Sequence, residues 1–269
     1  MALYDIIDEI AAKKVTKTDT GDSLINGVVI GIVAKNYDKD MPGRVCVTIP
    51  TRDKDANELQ WARMIQPSDG KEWGHYFIPE VGDQVAIIFE GGNIERPYIL
   101  GCVARDNDKF LGAAIDENNQ IKRIGTRNGN SITFFDHKDG DGDKDKLTLQ
   151  TAGREHSIVL DNEGKQMVVT DKAKKNSIAI KTEDGNMTIK ADSRLTIQVG
   201  SVKITINGES GSVKIDANEL SVKTSNRCQV KCDGMVKTEG AQVMSKASSM
   251  SKLECSGMVS IAGNLIKIG

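Results

Sequence analysis

Four carboxylates at alternate positions, Asp139, Asp141, Asp143 and Asp145, follow His137 in the run His137-Lys138-Asp139-Gly140-Asp141-Gly142-Asp143-Lys144-Asp145. Alternating acids of this kind can wrap a calcium ion with hard oxygen ligands. The calcium-loop pattern also requires a bidentate acid at its twelfth position, and counted from Asp139 that residue is Gln150. The stretch is therefore expected to be an exposed connection between strands, with no resident metal. The three histidines, His75, His137 and His156, make neither a His-x-His nor a His-Glu-x-x-His motif, so catalytic zinc has no ligand set. Ser249 and Lys252 have Ser-x-x-Lys spacing, but they sit in a Ser-rich segment without any cleft signal. Five cysteines, at 46, 102, 228, 232 and 255, are neither an even nor a dense framework. They are expected to be reduced and mostly buried, as small apolar side chains of a protein made in the cytoplasm. Cys228 and Cys232 share the face of Val230, and with Met235, Met244, Met250 and Met258 they read as fillers of a slim core. These residues predict no catalysis, no cofactor and no small-molecule substrate.

The elements that carry these residues have a simple period. Ile180, Ile189, Ile197, Ile206, Ile215, Val222 and Val230 recur at steps of 9, 8, 9, 9, 7 and 8. Within each unit apolar and polar residues alternate, as in Met187-Thr188-Ile189-Lys190 and Val213-Lys214-Ile215-Asp216. Period two means a strand with one buried face, and the longer period means stacked copies of one element. Each unit offers about two inward residues, too few for a single-chain coil of about 20 residues with three faces. Several chains wound together, each supplying one face of a common prism, would bury the stripe and remove open sheet edges. That arrangement makes the seven residues a trimer core; a sandwich with longer connections is the alternative.

Composition separates two kinds of interior. Both Trp and all four Tyr lie before residue 100, and the last Phe is Phe135, leaving the later half a thin Ile, Val and Met core. Residues 1–120 carry 13 Lys and Arg against 20 Asp and Glu, a net of −7, and residues 121–269 carry 23 against 18, a net of +5. Nucleic-acid binding wants a dense basic patch with aromatic platforms, so a nucleic-acid partner is not expected. No 18-residue apolar run is present, which predicts no transmembrane helix. The N-terminus lacks the basic and apolar regions of a signal peptide.

In chain order, Leu3, Ile6, Ile7 and Ile10 make a short apolar stripe over Asp5, Asp8 and Glu9, the pattern of an amphipathic helix. Alone it is too short to be stable, so it is expected to dock. Strands are expected at 27–34, 44–49, 60–65, 84–89 and 98–104, with joins at 53–58 and 67–74, which together make a small closed barrel. Gly82-Asp83 supplies a tight turn, and Pro97 opens a strand where its missing donor is tolerated. Arg63 and Arg96 are expected to be solvated or to pair with surface acids. Residues 106–130 form a polar transition, and Phe134 and Phe135 suit the wide mouth of a narrowing core.

The segments Gly43-Arg44-Val45-Cys46-Val47-Thr48-Ile49-Pro50, Trp61-Ala62-Arg63, Phe77-Ile78-Pro79-Glu80-Val81-Gly82-Asp83-Gln84-Val85, Phe89-Glu90-Gly91-Gly92-Asn93 and Arg96-Pro97-Tyr98-Ile99-Leu100-Gly101, in this order and spacing, resemble the oligonucleotide-binding-fold (OB-fold) domain of contractile-tail spikes. That family includes phage baseplate assembly protein V and the spike part of the valine-glycine repeat proteins of type VI secretion. The resemblance implies an all-β chain: an N-terminal helix and linker at 1–23, an OB-fold collar at 24–105, a transition at 106–130 and an intertwined homotrimeric β-helix at 131–269. About 15 to 17 strands spaced about 4.8 Å apart would make a needle about 75 Å long. It also implies a role, that of a central spike made in a bacterial cytoplasm and built into a phage or injection-particle baseplate. Such a spike docks to a hub through Leu3, Ile6, Ile7 and Ile10 and punctures a bacterial envelope when a sheath contracts. Some spikes of this family close their tip around iron through paired histidines, and this sequence has no His after residue 156. Its end at Leu265, Ile266, Ile268 and Gly269 is instead expected to be covered by a tip protein of the proline-alanine-alanine-arginine repeat (PAAR) type. A nucleic-acid-binding barrel and a spike-borne envelope-degrading enzyme are the competing functions.

Overall fold

The computed structural model describes residues 24–50, 60–105 and 108–268. The expected N-terminal helix with Leu3, Ile6, Ile7 and Ile10, the join at 53–58, and Gly269 lie outside the described residues. Those residues fall into two compact units: the first runs through Leu195 and takes in Ile206–Ser212, and the second comprises Thr196–Thr205 and the chain from Val213 on. Among the described residues no helix is long and apolar enough to cross a membrane.

Each of the five early strands forms as the alternation predicts. β1 (Val29–Lys35), β2 (Arg44–Thr48), β3 (Gln60–Met64), β4 (Gln84–Phe89) and β5 (Pro97–Cys102) close into a barrel in the order β1-β2-β3-β5-β4. Closure comes from β3, which pairs with β5 in parallel, while β1 pairs antiparallel with both β2 and β4. β4 shows the period most plainly: Val85, Ile87 and Phe89 are buried and the residues between them are not. They pack with Val33, Val45, Val47, Ile49, Ala62, Ile94 and Ile99. Space is tight where β1 crosses β4, since a Cβ on Gly31 would lie 2.4 Å from Ile87 Cδ1 and 3.1 Å from the Thr48 carbonyl oxygen. The turn into β4 is built as its sequence suggests. Gly82 takes φ +93°, its N–H donates to the Val33 carbonyl at 2.9 Å, and Asp83 Oδ2 accepts from the Glu80 N–H at 2.8 Å.

Beyond the barrel the chain makes a short helix, α1 (Lys109–Ala114), that the polar composition of the transition did not suggest. Its Phe110 lies over Gly125, where a Cβ would come within 2.6 Å of the ring, and its ring also faces the Arg123 guanidinium at 5.6 Å. A seven-stranded sheet follows: β6 (Ile121–Gly125), β7 (Ser131–Phe135), β8 (Lys146–Gln150), β9 (His156–Asp161), β10 (Gln166–Asp171), β11 (Ser177–Lys181) and β12 (Asn186–Lys190). Its strands lie side by side in chain order, every neighbouring pair antiparallel. β13 (Arg194–Val199), β14 (Val202–Asn207) and β15 (Ser212–Asp216) form a three-stranded sheet in that order.

Ten strands therefore follow the barrel among the described residues, against the 15 to 17 expected. From 217 to 268 no residue lies in a strand and every one is exposed. The cysteines are less buried than expected. Cys46 is inside the barrel, but Cys102, Cys228, Cys232 and Cys255 are exposed, because the later three belong to a stretch with no chain packed over it.

Removing the methylenes of fully buried Ile87 with Ile87→Ala should cost about 2–5 kcal/mol. Overfilling the crossing with Gly31→Val should cost about 1–3 kcal/mol. Urea unfolding followed by tryptophan fluorescence checks both, and unchanged midpoints would remove Ile87 and Gly31 from the barrel's energetic centre.

Candidate interaction face

The register of the seven-stranded sheet sorts its side chains into rows. Residues directly opposite each other on paired strands share a face, as do residues two apart on one strand. Ile124, Ile132, Leu149, Ile158, Val169, Ile178 and Ile189 form one unbroken row from β6 to β12. Phe134, Leu147, Leu160, Met167, Ile180 and Met187 form a second row two residues away, from β7 to β12. Both rows lie on the same face. The opposite face carries Thr133, Thr148, Val159, Val168, Ala179 and Thr188 in register.

Exposure is inverted relative to an ordinary half-buried sheet. Most of the apolar rows is open, with Ile158 41%, Val169 45%, Ile189 48% and Met187 61% exposed, while Ile132, Leu147, Leu149 and Ile180 are half-buried, as are Val159 and Val168 on the more polar face. A groove of about 480 Å³ runs along the first row, with Ile124, Ile132, Leu149, Ile158 and Val169 among its walls and Phe77 of the barrel at its edge. A second, of about 390 Å³, continues past Val169, Ile178, Ile189 and Leu195. A large aliphatic side chain gains about 1.5–3 kcal/mol when buried rather than exposed. Contiguous apolar surface of this extent marks an interaction site on a soluble chain.

The rim of the face is polar and internally tied. The N–H groups of Asn162, Lys172 and Thr182 donate to the carbonyls of Asp145, Glu155 and Lys165 at 3.0, 2.9 and 2.9 Å. Lys172 pairs with Glu155 and Lys175 with Asp192, both at 2.8 Å. Each of these links joins residues 17 apart, the two ends of one hairpin, while equivalent row positions on alternate strands, Leu149, Val169 and Ile189, lie 20 residues apart. At the β10–β11 turn Asp171 accepts from the Lys175 N–H at 3.0 Å and the Asn176 N–H at 2.8 Å. The Lys175 backbone bond first, then the Asn176 side-chain bond, hold the Asp171 carboxyl below the usual range.

The acidic loop is likewise turned on itself. Asp139 meets Lys144 at 2.8 Å and His137 Nδ1 at 3.1 Å. Asp145 accepts from the His137 N–H and Asp141 from the Asp143 N–H. The Lys144 hydrogen bond foremost lowers the Asp139 pKa. Among the described residues no group of three or more His, Cys, Asp or Glu is placed to hold a metal ion.

Of the seven residues singled out as an apolar core, Ile180 and Ile189 stand in adjacent rows of this face. Ile197, Ile206 and Ile215 belong to β13, β14 and β15. Val222 and Val230 lie outside any strand and are 68% and 78% exposed. Leu265, Ile266 and Ile268 are also exposed and outside strands. The larger part of the face, from Ile124 to Ile178, was missed. The signal was available in Ile132-Thr133-Phe134, Leu147-Thr148-Leu149 and Ile158-Val159-Leu160, but the nine-residue loop at 137–145 interrupts the period there. Phe134 joins the second row, while its neighbour Phe135 faces the other way, so the two do not share a mouth.

The chain thus combines a closed five-stranded barrel with a sheet whose apolar face is largely open among the described residues. Residues 29–103 match the type VI secretion system/phage-baseplate injector OB domain. Similar proteins include three type VI secretion system spike proteins of Pseudomonas aeruginosa. VgrG1c is 28% identical over 152 residues, which span 55% of this chain and 21% of that protein. VgrG1a is 37% identical over 79 residues, 28% of this chain and 12% of that protein, and VgrG2a is 30% identical over 84 residues, 30% and 10%. The matched region is thus about a fifth or less of the length of these relatives.

Because the folded pKa of Asp171 is depressed, its contribution to the turn is fully present above the ordinary carboxylate range and is lost as pH falls through the lowered value. Amide-exchange protection at Lys175 and Asn176 should hold down to mildly acidic pH and collapse only below that range, and Asp171→Ala should remove it at every pH. Equal protection in the variant would show that the carboxylate does not hold the turn.

Proposed function

We propose that this chain is the central spike of a contractile tail or injection system, working as a homotrimer without catalytic residues. The observation that carries the reading is the two-row apolar face, open in one chain and continuous across seven strands. Three copies that turn these rows toward a common axis bury them all and leave the threonine-rich face to solvent. On this reading residues 24–105 are a collar, residues 106–130 a transition and residues 131–269 the needle. Ile180, Ile189, Ile197, Ile206, Ile215, Val222 and Val230 lie on its inner side. The stretch 217–268, which forms no strand among the described residues, takes its ladder bonds from the neighbouring copies, since unpaired backbone groups are costly once buried.

Residues 1–23 attach to a baseplate hub through Leu3, Ile6, Ile7 and Ile10. The end at Leu265, Ile266, Ile268 and Gly269 receives a PAAR-type tip protein. Sheath contraction drives the hub, and the intertwined prism passes the load to the target bacterial envelope, because bending it breaks many cross-chain bonds at once. The match of the barrel to injector OB domains and the likeness to spike proteins support this role. The chain would be made in a bacterial cytoplasm and carried in the particle.

Sedimentation equilibrium of the full chain should return three times its 29.2 kDa mass; a monomer in native buffer would overturn the proposal. Ile158→Lys places an unpaired charge inside the proposed interface, at about 3 kcal/mol or more, so self-association should weaken by roughly 100-fold or more. Thr148→Lys, on the opposite face, should leave it unchanged.

A further inference from the structure

The turns of the seven-stranded sheet divide between its two edges. Because every neighbouring pair is antiparallel, the turns at 126–130, 151–155 and 172–176 gather at one edge and those at 136–145, 162–165 and 182–185 at the other. The first edge is basic: its turns carry Arg127, Arg154, Lys172, Lys174 and Lys175 against Glu155, a net of +4. The second is acidic: its turns carry eight Asp and Glu against Lys138, Lys144 and Lys165, a net of −5. Both signs hold when the strand ends and the flanking residues 116–120 and 191–193 are included.

Within the chain these charges are matched only in part. On the basic edge Arg127 pairs with Glu80 at 3.2 Å, and Lys172 and Lys175 pair with Glu155 and Asp192. Arg154 and Lys174 are exposed and, among the described residues, have no ion pair. On the acidic edge Asp139 meets Lys144, whereas Asp143, Glu183 and Asp184 are exposed and, among the described residues, have no ion pair. The two edges of one sheet cannot neutralise each other. Strands of five or six residues hold them about 17–20 Å apart, about twice the screening length at physiological salt. Two basic edges, or two acidic ones, repel when brought together, while a basic edge attracts an acidic one. A cyclic assembly makes contacts of that unlike kind, one side of each copy meeting the opposite side of the next. The turns also alternate between the edges strand by strand, so the turns of one copy would face the gaps between the turns of its neighbour.

We propose that the basic edge, through Arg154 and Lys174, docks on the acidic edge of a second copy of this chain, at Asp143, Glu183 and Asp184, so that every copy uses both edges and the ring closes. A second copy is the occupant because the two edges of this one sheet match each other in sign and nearly in size, and each copy brings both. Among the described residues no group of three or more acids is placed to take a metal ion instead. The inference rests on the homotrimeric reading and deepens it. The apolar rows supply the driving force, while exposed ion pairs contribute little stability and act by orientation, since the wrong juxtaposition repels.

The test compares the full chain with R154E/K174E on the basic edge, E183K/D184K on the acidic edge, and a chain carrying all four substitutions. Sedimentation equilibrium is run in a urea concentration that half-dissociates the parent trimer, at about 50 mM and about 500 mM salt. At the lower salt each two-residue variant should associate roughly tenfold or more weakly than the parent. The four-residue chain, whose edges are complementary again with their signs exchanged, should recover to within about threefold. Higher salt should shrink these differences. Recovery separates lost contact from lost folding, because two further substitutions would not repair a damaged sheet. A trimeric parent whose two-residue variants associate as tightly as it does overturns the edge contact and leaves the spike reading standing. So does a four-residue chain weaker than either two-residue variant, or a basic-edge reversal that strengthens association, as contact between like edges would. A parent that is monomeric without urea overturns both.

Discussion

The constraint on which the structure turns is an apolar sheet face that the described residues leave largely open. Seven strands place Ile124 through Ile189 in one row and Phe134 through Met187 in another, both on one face. An antiparallel sheet with one wet face is ordinary when the other face packs on a core. Here the face turned to water is the apolar one. A small globular domain resolves this by laying a helix or a second sheet over the stripe, but α1 has only six residues and packs on β6. Among the described residues the rows stay largely exposed.

The barrel obeys the opposite logic. It closes on itself, so no strand of it is left with an open edge, and its interior is filled by side chains from all five strands. That difference follows from composition. Bulky residues and those that shape turns are concentrated early, where Phe89, Pro97 and the glycines at 82, 91 and 92 close a compact core. After Phe135 the sequence offers short aliphatic side chains at strict alternation, which suits a thin, repeated interior. On the proposed reading the barrel's core is complete within one chain, whereas the later interior is completed by association.

What the sequence made legible was whatever depends on local period or local turn chemistry. The alternation in β2 and β4 and the Gly82-Asp83 turn were enough to fix the barrel strands within a residue or two. The recurrence of isoleucine every eight to nine residues revealed the later repeat, although in the seven-stranded sheet the unit that repeats in space is a two-strand hairpin of 20 residues, as from Leu149 to Val169 to Ile189. The rows above Ile180 escaped because the loop at 137–145 breaks the spacing, and only cross-strand register brings Ile132, Leu149 and Ile158 into line. α1 escaped for a different reason: its stability rests on Phe110 seated over Gly125 and Arg123, a contact that no window of six residues contains. The opposite signs of the two sheet edges were equally hidden, since only the antiparallel order sends alternate turns to the same side.

The stretch from 217 to 268 sharpens the argument about association. Its sequence keeps the alternation that made strands earlier, as in Val259-Ser260-Ile261, with Val222 and Val230 eight residues apart, yet among the described residues it forms no strand. β propensity alone does not hold a strand; the strand is held by its cross-strand neighbours and by burial of one face. Upstream, the inner strands of the sheet have both neighbours in the same chain, and the rim bonds 17 residues apart tie together the two ends of each hairpin. Past Asp216 the step from one apolar residue to the next is seven and then eight residues, against nine to eleven between successive strand starts from Lys146 to Asn186, so less chain is available for each strand and its turn. On the proposed reading such short strands take their ladder partners from the equivalent segments of other copies.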